Sequence, residues 1–337
     1  MSQAKGSRQD MTTIQDIAHL ANVSSATVSR VINKNGYVSK STKEKVKQAI
    51  QELDYVPNSQ AVSLKKGSTK TLGIISTDFF DTASVLLRSF TMEAQKEGYN
   101  VTIFITNQNK QKELDALEML KSKQLDGIFL LYRTNEWEII EKYEKYGPIV
   151  TLNRVDSDII PSVYMDQSSG YLLGLEHLYY NGCRKIINLY SNESGLNTQI
   201  RIKTFKEFAQ KYGLPSHDPS LFINLAGTKD GAQAARWFHQ QSEKPDAFMC
   251  ASDSVAAGFV AEAMHLGYIA GEDYSIIGFD NIFLSEMLDI TTIHYPVDLQ
   301  AENAFRLIYQ RLVNKEQEVQ PLDFKLIQRG STKRTVH

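Results

Sequence analysis

Apolar residues near the start of the chain recur at intervals of three and four, the spacing of one helical face. Ile14, Ile17, Ala18 and Ala21 make the first such face, and Thr13 with Asp16 ahead of it has capping-box spacing. Asn22 ends that helix and Ser24 caps a second, whose apolar positions are Val28, Val31 and Ile32. A third is predicted from about Ser41, with Glu44 completing another capping box, through Val46, Ala49, Ile50 and Leu53. Two short helices joined by a tight turn, with a third packed across them, give a helix-turn-helix unit over residues 11–57. The same pattern fits a small helical protein-interaction module. Pro57 closes the region, and Asn58 caps a short helix to Lys65 before Lys66, Gly67 and Ser68 loosen the chain. Alone, a helix of about eight residues is marginal and is expected to stay disordered until something holds it.

From Thr71 the period changes. Short apolar runs at 72–76, 100–105, 127–131, 149–153, 162–165, 185–190, 247–250, 275–279 and 291–294 predict strands. Helical stretches fall between most of them, for example 84–97, 111–123, 168–180, 200–212, 231–241 and 255–266. Alternating strand and helix argues for an α/β fold with parallel sheets, better housed in two doubly wound lobes than in one. A ligand cleft then lies between the lobes.

The formal charge of the 337-residue chain is −2, which taken whole disfavours a polyanion-binding protein. The distribution of charge points the other way. Through Lys70 there are 11 basic and 5 acidic residues, a net of +6, and from Thr71 onward 26 basic and 34 acidic, a net of −8. A basic head on an acidic body suits one segment that meets a polyanion and another that keeps the chain soluble. The two cysteines, Cys183 and Cys250, exclude a disulfide scaffold and fit a reducing cytoplasm. No apolar run nears the roughly 18 residues needed to span a bilayer. Residues 1–10 have no hydrophobic stretch and read as a disordered leader.

The second helix carries the most specific signal. With Val28, Val31 and Ile32 inward, Ser25, Ala26, Ser29, Arg30 and Asn33 face outward. Small or hydrogen-bonding side chains with one arginine suit insertion into a DNA major groove, where Arg30 can grip guanine O6 and N7. Hydroxyls and the helix N-terminus suit phosphate oxygens.

Here the residues resemble a known family. Thr13-Ile-Gln-Asp-Ile-Ala, Val23-Ser-Ser-Ala-Thr-Val-Ser-Arg-Val-Ile-Asn33, Val38-Ser39 and Leu53-Asp-Tyr-Val-Pro-Asn58 are similar to the LacI/GalR family of bacterial transcription regulators. The resemblance implies that Ser25, Ala26 and Arg30 read bases, Ala26 offering only a methyl contact. It implies phosphate contacts from Ser24, Thr27, Ser29 and Asn33. In the 58–70 segment it implies a hinge helix that folds on DNA, with Leu64 wedging into the minor groove, Ala61 at the crossing of two hinge helices and Lys65 beside them. Val62 departs from the polar or basic residue frequent at that place.

More loosely, Leu72-Gly-Ile-Ile, Gln124-Leu-Asp-Gly-Ile128, Val163-Tyr-Met-Asp166, Gly170, Arg201 with Phe205, Asp253, Ile276-Ile-Gly-Phe-Asp-Asn281 and Thr291-Thr-Ile-His-Tyr-Pro296 follow the family order. The resemblance implies a body like periplasmic sugar-binding proteins, crossed three times by the chain. The first lobe would take about 71–168 and 298–325, the second about 169–297 and 326–337. It implies an effector site at Arg201 and Asp280, then Asn197, Ser252, Asp253 and Asn153, with Asp166 and Arg154 more remote. Two departures stand out. The Asp78–Asp81 loop is one residue short around Phe79 and Phe80, and Ala226 holds the place of a stacking aromatic, which leaves Phe222 or Trp137 to supply a ring.

There is no P-loop, HExxH or Gly-x-Ser-x-Gly, so the reading excludes an enzyme, a metal site and a cofactor. The expected function is that of a cytoplasmic, homodimeric regulator, more a repressor than an activator. Its expected partners are pseudo-palindromic operator DNA and a small-molecule, carbohydrate-like effector, with no membrane. A protein corepressor, or a solute-binding protein without DNA binding, are the rival readings.

Overall fold

The computed structural model describes residues 12–33, 35–55, 67–79, 81–215, 218 and 222–332. The chain divides into two compact units, 1–67 and 68–337. In the first, α1 (Ile14–Leu20), α2 (Ser25–Ile32) and α3 (Lys40–Glu52) enclose Ile17, Val28 and Val46, which are fully buried. Both halves of the Thr13–Asp16 capping box form, and Asn22 turns the chain in the left-handed region with φ 52°. Ser24 Oγ accepts from Thr27 N at 3.2 Å to start α2. The third helix departs from the Ser41–Glu44 expectation. Ser39 is its cap, accepting from Thr42 N at 3.2 Å, and the first turn holds no acid. Val38 is buried just before it, so the chain leaves the core and enters the helix two residues early.

The second unit holds two sheets. In the first, β1 (Thr71–Ser76), β2 (Asn100–Ile105), β3 (Gly127–Leu130) and β4 (Ile149–Thr151) are parallel in the order β2-β1-β3-β4. In the second, β5 (Ile186–Leu189), β6 (Ala247–Cys250), β7 (Ser275–Asp280) and β8 (Thr291–His294) run parallel, and β9 (Lys325–Ile327) joins β8 antiparallel. Helices cover both faces, which is why the central strands read as unbroken apolar runs.

Two expectations change. Residues 162–165 are not a strand. Thr151 N donates to Pro161 O and Val163 N to Thr151 O, one step of ladder, after which the chain leaves for the second lobe. The return to the second lobe comes before residue 326, because Phe324 already stacks on Tyr295 and β9 begins at Lys325. The helix Val297–Val313 belongs to the first lobe, where Ala301, Ala304, Phe305 and Ile308 close the core around Leu72, Phe90 and Phe129. The start of that lobe is clamped. Asp126 accepts from Thr69 N, Thr69 Oγ1 and Lys70 N at 2.8–3.0 Å, and from Ser68 Oγ. No helix among the described residues is long and apolar enough to cross a membrane.

Candidate functional site

The outer face of α2 is laid out as its periodicity requires. Ser24, Ser25, Ala26, Arg30 and Asn33 are exposed, Thr27 and Ser29 half-buried, and Val28 is buried beneath them. The hydroxyls and amide hold one another: Ser24 Oγ and Thr27 Oγ1 lie 2.9 Å apart, and Asn33 Nδ2 donates to Ser29 O at 2.8 Å. Small polar groups thus flank one long cation on a surface free of bulk. Ala61, Leu64 and Lys65 lie outside the described residues, as do residues 1–10 and Phe80.

Between the lobes lie two cavities of about 460 and 500 Å³. Thr82, Tyr132, Ser191, Asn192, Asn197 and Tyr295 line both, so they form one continuous cleft. Arg201, on the helix Leu196–Tyr212, lines the larger cavity although only 5% exposed. Its Nη1 donates to Ala251 O at 2.7 Å and its guanidinium lies 3.9 Å from the Phe279 ring centroid. Its Nε and the Oδ1 of Asn197, one turn away, are buried without a hydrogen-bond partner. Buried polar groups left open in this way call for a ligand that brings the missing partners.

Asp280 ends β7 with φ 107°, a backbone conformation that costs a side-chain-bearing residue about 1–3 kcal/mol. The next residue, Asn281, is also left-handed, with φ 58°. The turn that follows is held from outside the strand, because Arg329 Nη2 donates to Asn281 Oδ1 at 2.9 Å and Ile282 N to Asp253 Oδ2 at 2.7 Å. Burial, then the charge of Asp253, pushes the Asp280 carboxyl well above the usual range, and Arg201 opposes them. Burial also pushes the Tyr132 hydroxyl up to about 12, with Asp280 adding to it.

Of the sequence-predicted cleft residues, Arg201, Asp280, Asn197 and Ser252 line the larger cavity, and Asn153 and Arg154 the smaller. Asn153 turns its amide inward, Nδ2 donating to Leu131 O at 2.9 Å. Asp253 lines neither. It is fully buried under the cleft floor, accepting from Thr292 Oγ1 at 2.5 Å and from Ile282 N, a structural role. Asp166 is also elsewhere, accepting from Ser168 N at 2.8 Å. Ala226 lines the larger cavity as expected, but neither Phe222 nor Trp137 supplies a ring there: Phe222 packs on Trp237, and Trp137 lies under Arg133. Tyr132, Tyr295 and Phe79 bring the aromatic surface instead. Among the described residues no group of three or more His, Cys, Asp or Glu is arranged to hold a metal.

Asp253 yields a test of this floor. Burial raises its carboxyl to about 6, against roughly 4 in an unfolded chain. Between those values the fold binds a proton that the unfolded chain does not. Stability therefore falls as pH rises from about 4 to 6, by up to about 2–3 kcal/mol. Melting curves of wild type and Asp253→Asn across this range should diverge, the variant losing that part of the slope. Equal slopes would refute the assignment.

Known proteins align with this architecture. The profile of bacterial regulatory proteins of the lacI family matches residues 13–58, and that of periplasmic binding proteins and the sugar binding domain of the LacI family matches 74–326. The NTD biosynthesis operon regulator NtdR of Bacillus subtilis (strain 168) is 33% identical, covering 96% of this chain and 100% of its own. A ribose operon repressor of Halalkalibacterium halodurans is 34% identical, covering 96% and 98%. Among solved structures, the lac repressor dimer bound to operator and the anti-inducer ONPF superposes with TM-score 0.81 at 23% identity, covering 96% and 100%. A LacI family regulator from Lactobacillus casei with bound sucrose superposes with TM-score 0.69 at 24% identity, covering 78% and 99%. These relatives are regulators, not enzymes.

Proposed function

Because this chain belongs to the lacI family of bacterial regulatory proteins, we propose that it represses carbohydrate-utilisation genes under the control of a sugar or sugar derivative in the interlobe cleft. Two recognition helices of a homodimer enter successive major grooves of a pseudo-palindromic operator, about 34–36 Å apart. Arg30 reads guanine, Ser25 and Ala26 complete the base contacts, and Ser24, Thr27, Ser29 and Asn33 hold phosphates. Ala61, Leu64 and Lys65 act in the minor groove between the half-sites. The ligand favours one arrangement of the lobes over the other and so shifts operator affinity. The protein works in the cytoplasm, where its DNA is.

The observation that carries this reading is the α2 surface. Burial of Val28 leaves Ser25, Ala26 and Arg30 exposed side by side, without bulk to keep them from base edges. Arg30→Ala is expected to weaken binding to the cognate operator by about 1–3 kcal/mol and to relax specificity at one base pair. Fluorescence anisotropy on matched and scrambled duplexes measures both. Wild-type protein that binds the two duplexes equally would overturn the reading.

A further inference from the structure

Resting on the cleft reading above, we infer that the effector is a polyol carrying an anionic group, a sugar phosphate or a sugar acid, whose anion sits in the smaller cavity between Arg133, Arg154 and Tyr164. The two compartments differ in charge. The cavity of about 460 Å³ is lined by Arg133 and Arg154, and no carboxylate is among its lining residues. The cavity of about 500 Å³ has Arg201, but also Asp81 and Asp280. The arginines at the other end, with no acid beside them among the lining residues, draw the anion, while sugar hydroxyls can hydrogen-bond to Asp81 and Asp280. The ligand is thereby oriented, its polyol toward Asp280 and its charge toward the arginines.

The cationic end is built rather than incidental. Arg133 follows β3 on a loop fixed from beneath by Glu113, which is fully buried. The Glu113 carboxylate accepts from Thr134 N at 2.5 Å, from Asn135 N at 2.9 Å and from Asn135 Nδ2 at 2.8 Å. Arg133 Nη1 donates to Asn135 O at 2.8 Å, and its guanidinium lies over Trp137, 5.0 Å from the ring centroid. Glu136 stands only 3.5 Å from it and Asp156 only 3.9 Å from Arg154, loose pairs on the solvent side that leave donors to spare. The hydroxyl of Tyr164 lines the same cavity, buried and without a hydrogen-bond partner. Three donors on three separate segments, two of them guanidinium forks, match the oxygens of a phosphate or carboxylate.

Isothermal titration calorimetry of the full chain tests this, with ribose 5-phosphate, glucose 6-phosphate and gluconate set beside ribose, glucose and sucrose. At least one anionic sugar is expected to bind about 10-fold or more tightly than its neutral parent, and the phosphates against gluconate show which anion is meant. In an Arg133→Gln/Arg154→Gln double variant that ratio should fall to near one, with the melting temperature confirming an intact fold. Neutral and anionic sugars that bind equally well, both lost in Arg201→Gln, would overturn the anion site and leave the cleft reading standing. A preference that survives the double variant would also overturn it. If none of the six compounds binds, both readings fall.

Discussion

Replacement of Arg201 by Ala is expected to weaken ligand binding by about 2–3 kcal/mol, roughly 30–150-fold in Kd, and to abolish the ligand-dependent change in operator affinity. The size follows from what surrounds the side chain. Arg201 is nearly sealed from solvent, holds Ala251 O through Nη1, lies against the Phe279 ring and still has Nε unsatisfied. A ligand that completes its hydrogen bonds does so where water competes weakly, so a charge-assisted bond keeps more of its strength. Truncation removes that donor and leaves Asp280 without the guanidinium that opposes its raised carboxyl. Calorimetry for binding and anisotropy for the operator response check the two halves, and an unchanged Kd would place the ligand elsewhere.

Gly258→Ala should lower the stability of the body by about 3 kcal/mol or more, a fall of roughly 6–12 °C in Tm. Gly258 lies on the helix Asp253–His265, which crosses the helix Thr228–Gln240 so closely that a β-carbon there would stand 1.9 Å from Thr228 O. The contact is reciprocal, since a β-carbon on Gly231 would stand 2.0 Å from Val255 O. Backbone meets backbone, so no rotamer change can make room and the helices must part. Their separation would open the core around Phe238, Phe248 and Phe259. Differential scanning calorimetry measures the loss, and a Tm within about 2 °C of wild type would show that the crossing yields more easily than packed backbones do.

The head was legible in the sequence almost to the residue, because its signals are local. Thr13 with Asp16, and Ser24 with Thr27, bond within one turn of each other, so spacing alone defines them. Ser41 with Glu44 had the same spacing and did not form. The choice between Ser39 and Ser41 was made by Val38, whose burial is a tertiary fact. In the body, strands buried on both faces announced themselves, whereas the short apolar run at 162–165 did not reveal that no neighbour continues beside it. The edge strand Lys325–Ile327 was silent for the opposite reason, since three part-exposed residues, only two of them apolar, are too short a run to tell from a loop.

The cleft was legible through the family resemblance, which pointed to Arg201 and Asp280, and both line the larger cavity. The resemblance pointed less strongly to Asp253, which turns inward and accepts from Ile282 N in the strained turn after β7. Tyr132, Tyr295 and Thr82 gave no signal, since each is an ordinary residue at the end of a secondary-structure element until the lobes come together. The 133–135 loop and its buried Glu113 are joined across more than twenty positions, beyond any local spacing.

The helix Val297–Val313 sets an order on synthesis. The head has its own core within residues 14–53 and can fold as soon as it leaves the ribosome. The sheet of the first lobe is complete by residue 151, yet Phe90 and Phe129 wait for Ala304, Phe305 and Ile308, made some 150 residues later. Through that interval the nascent chain carries a finished reader attached to an open hydrophobic face. The lobe that is first in the message is therefore among the last to close.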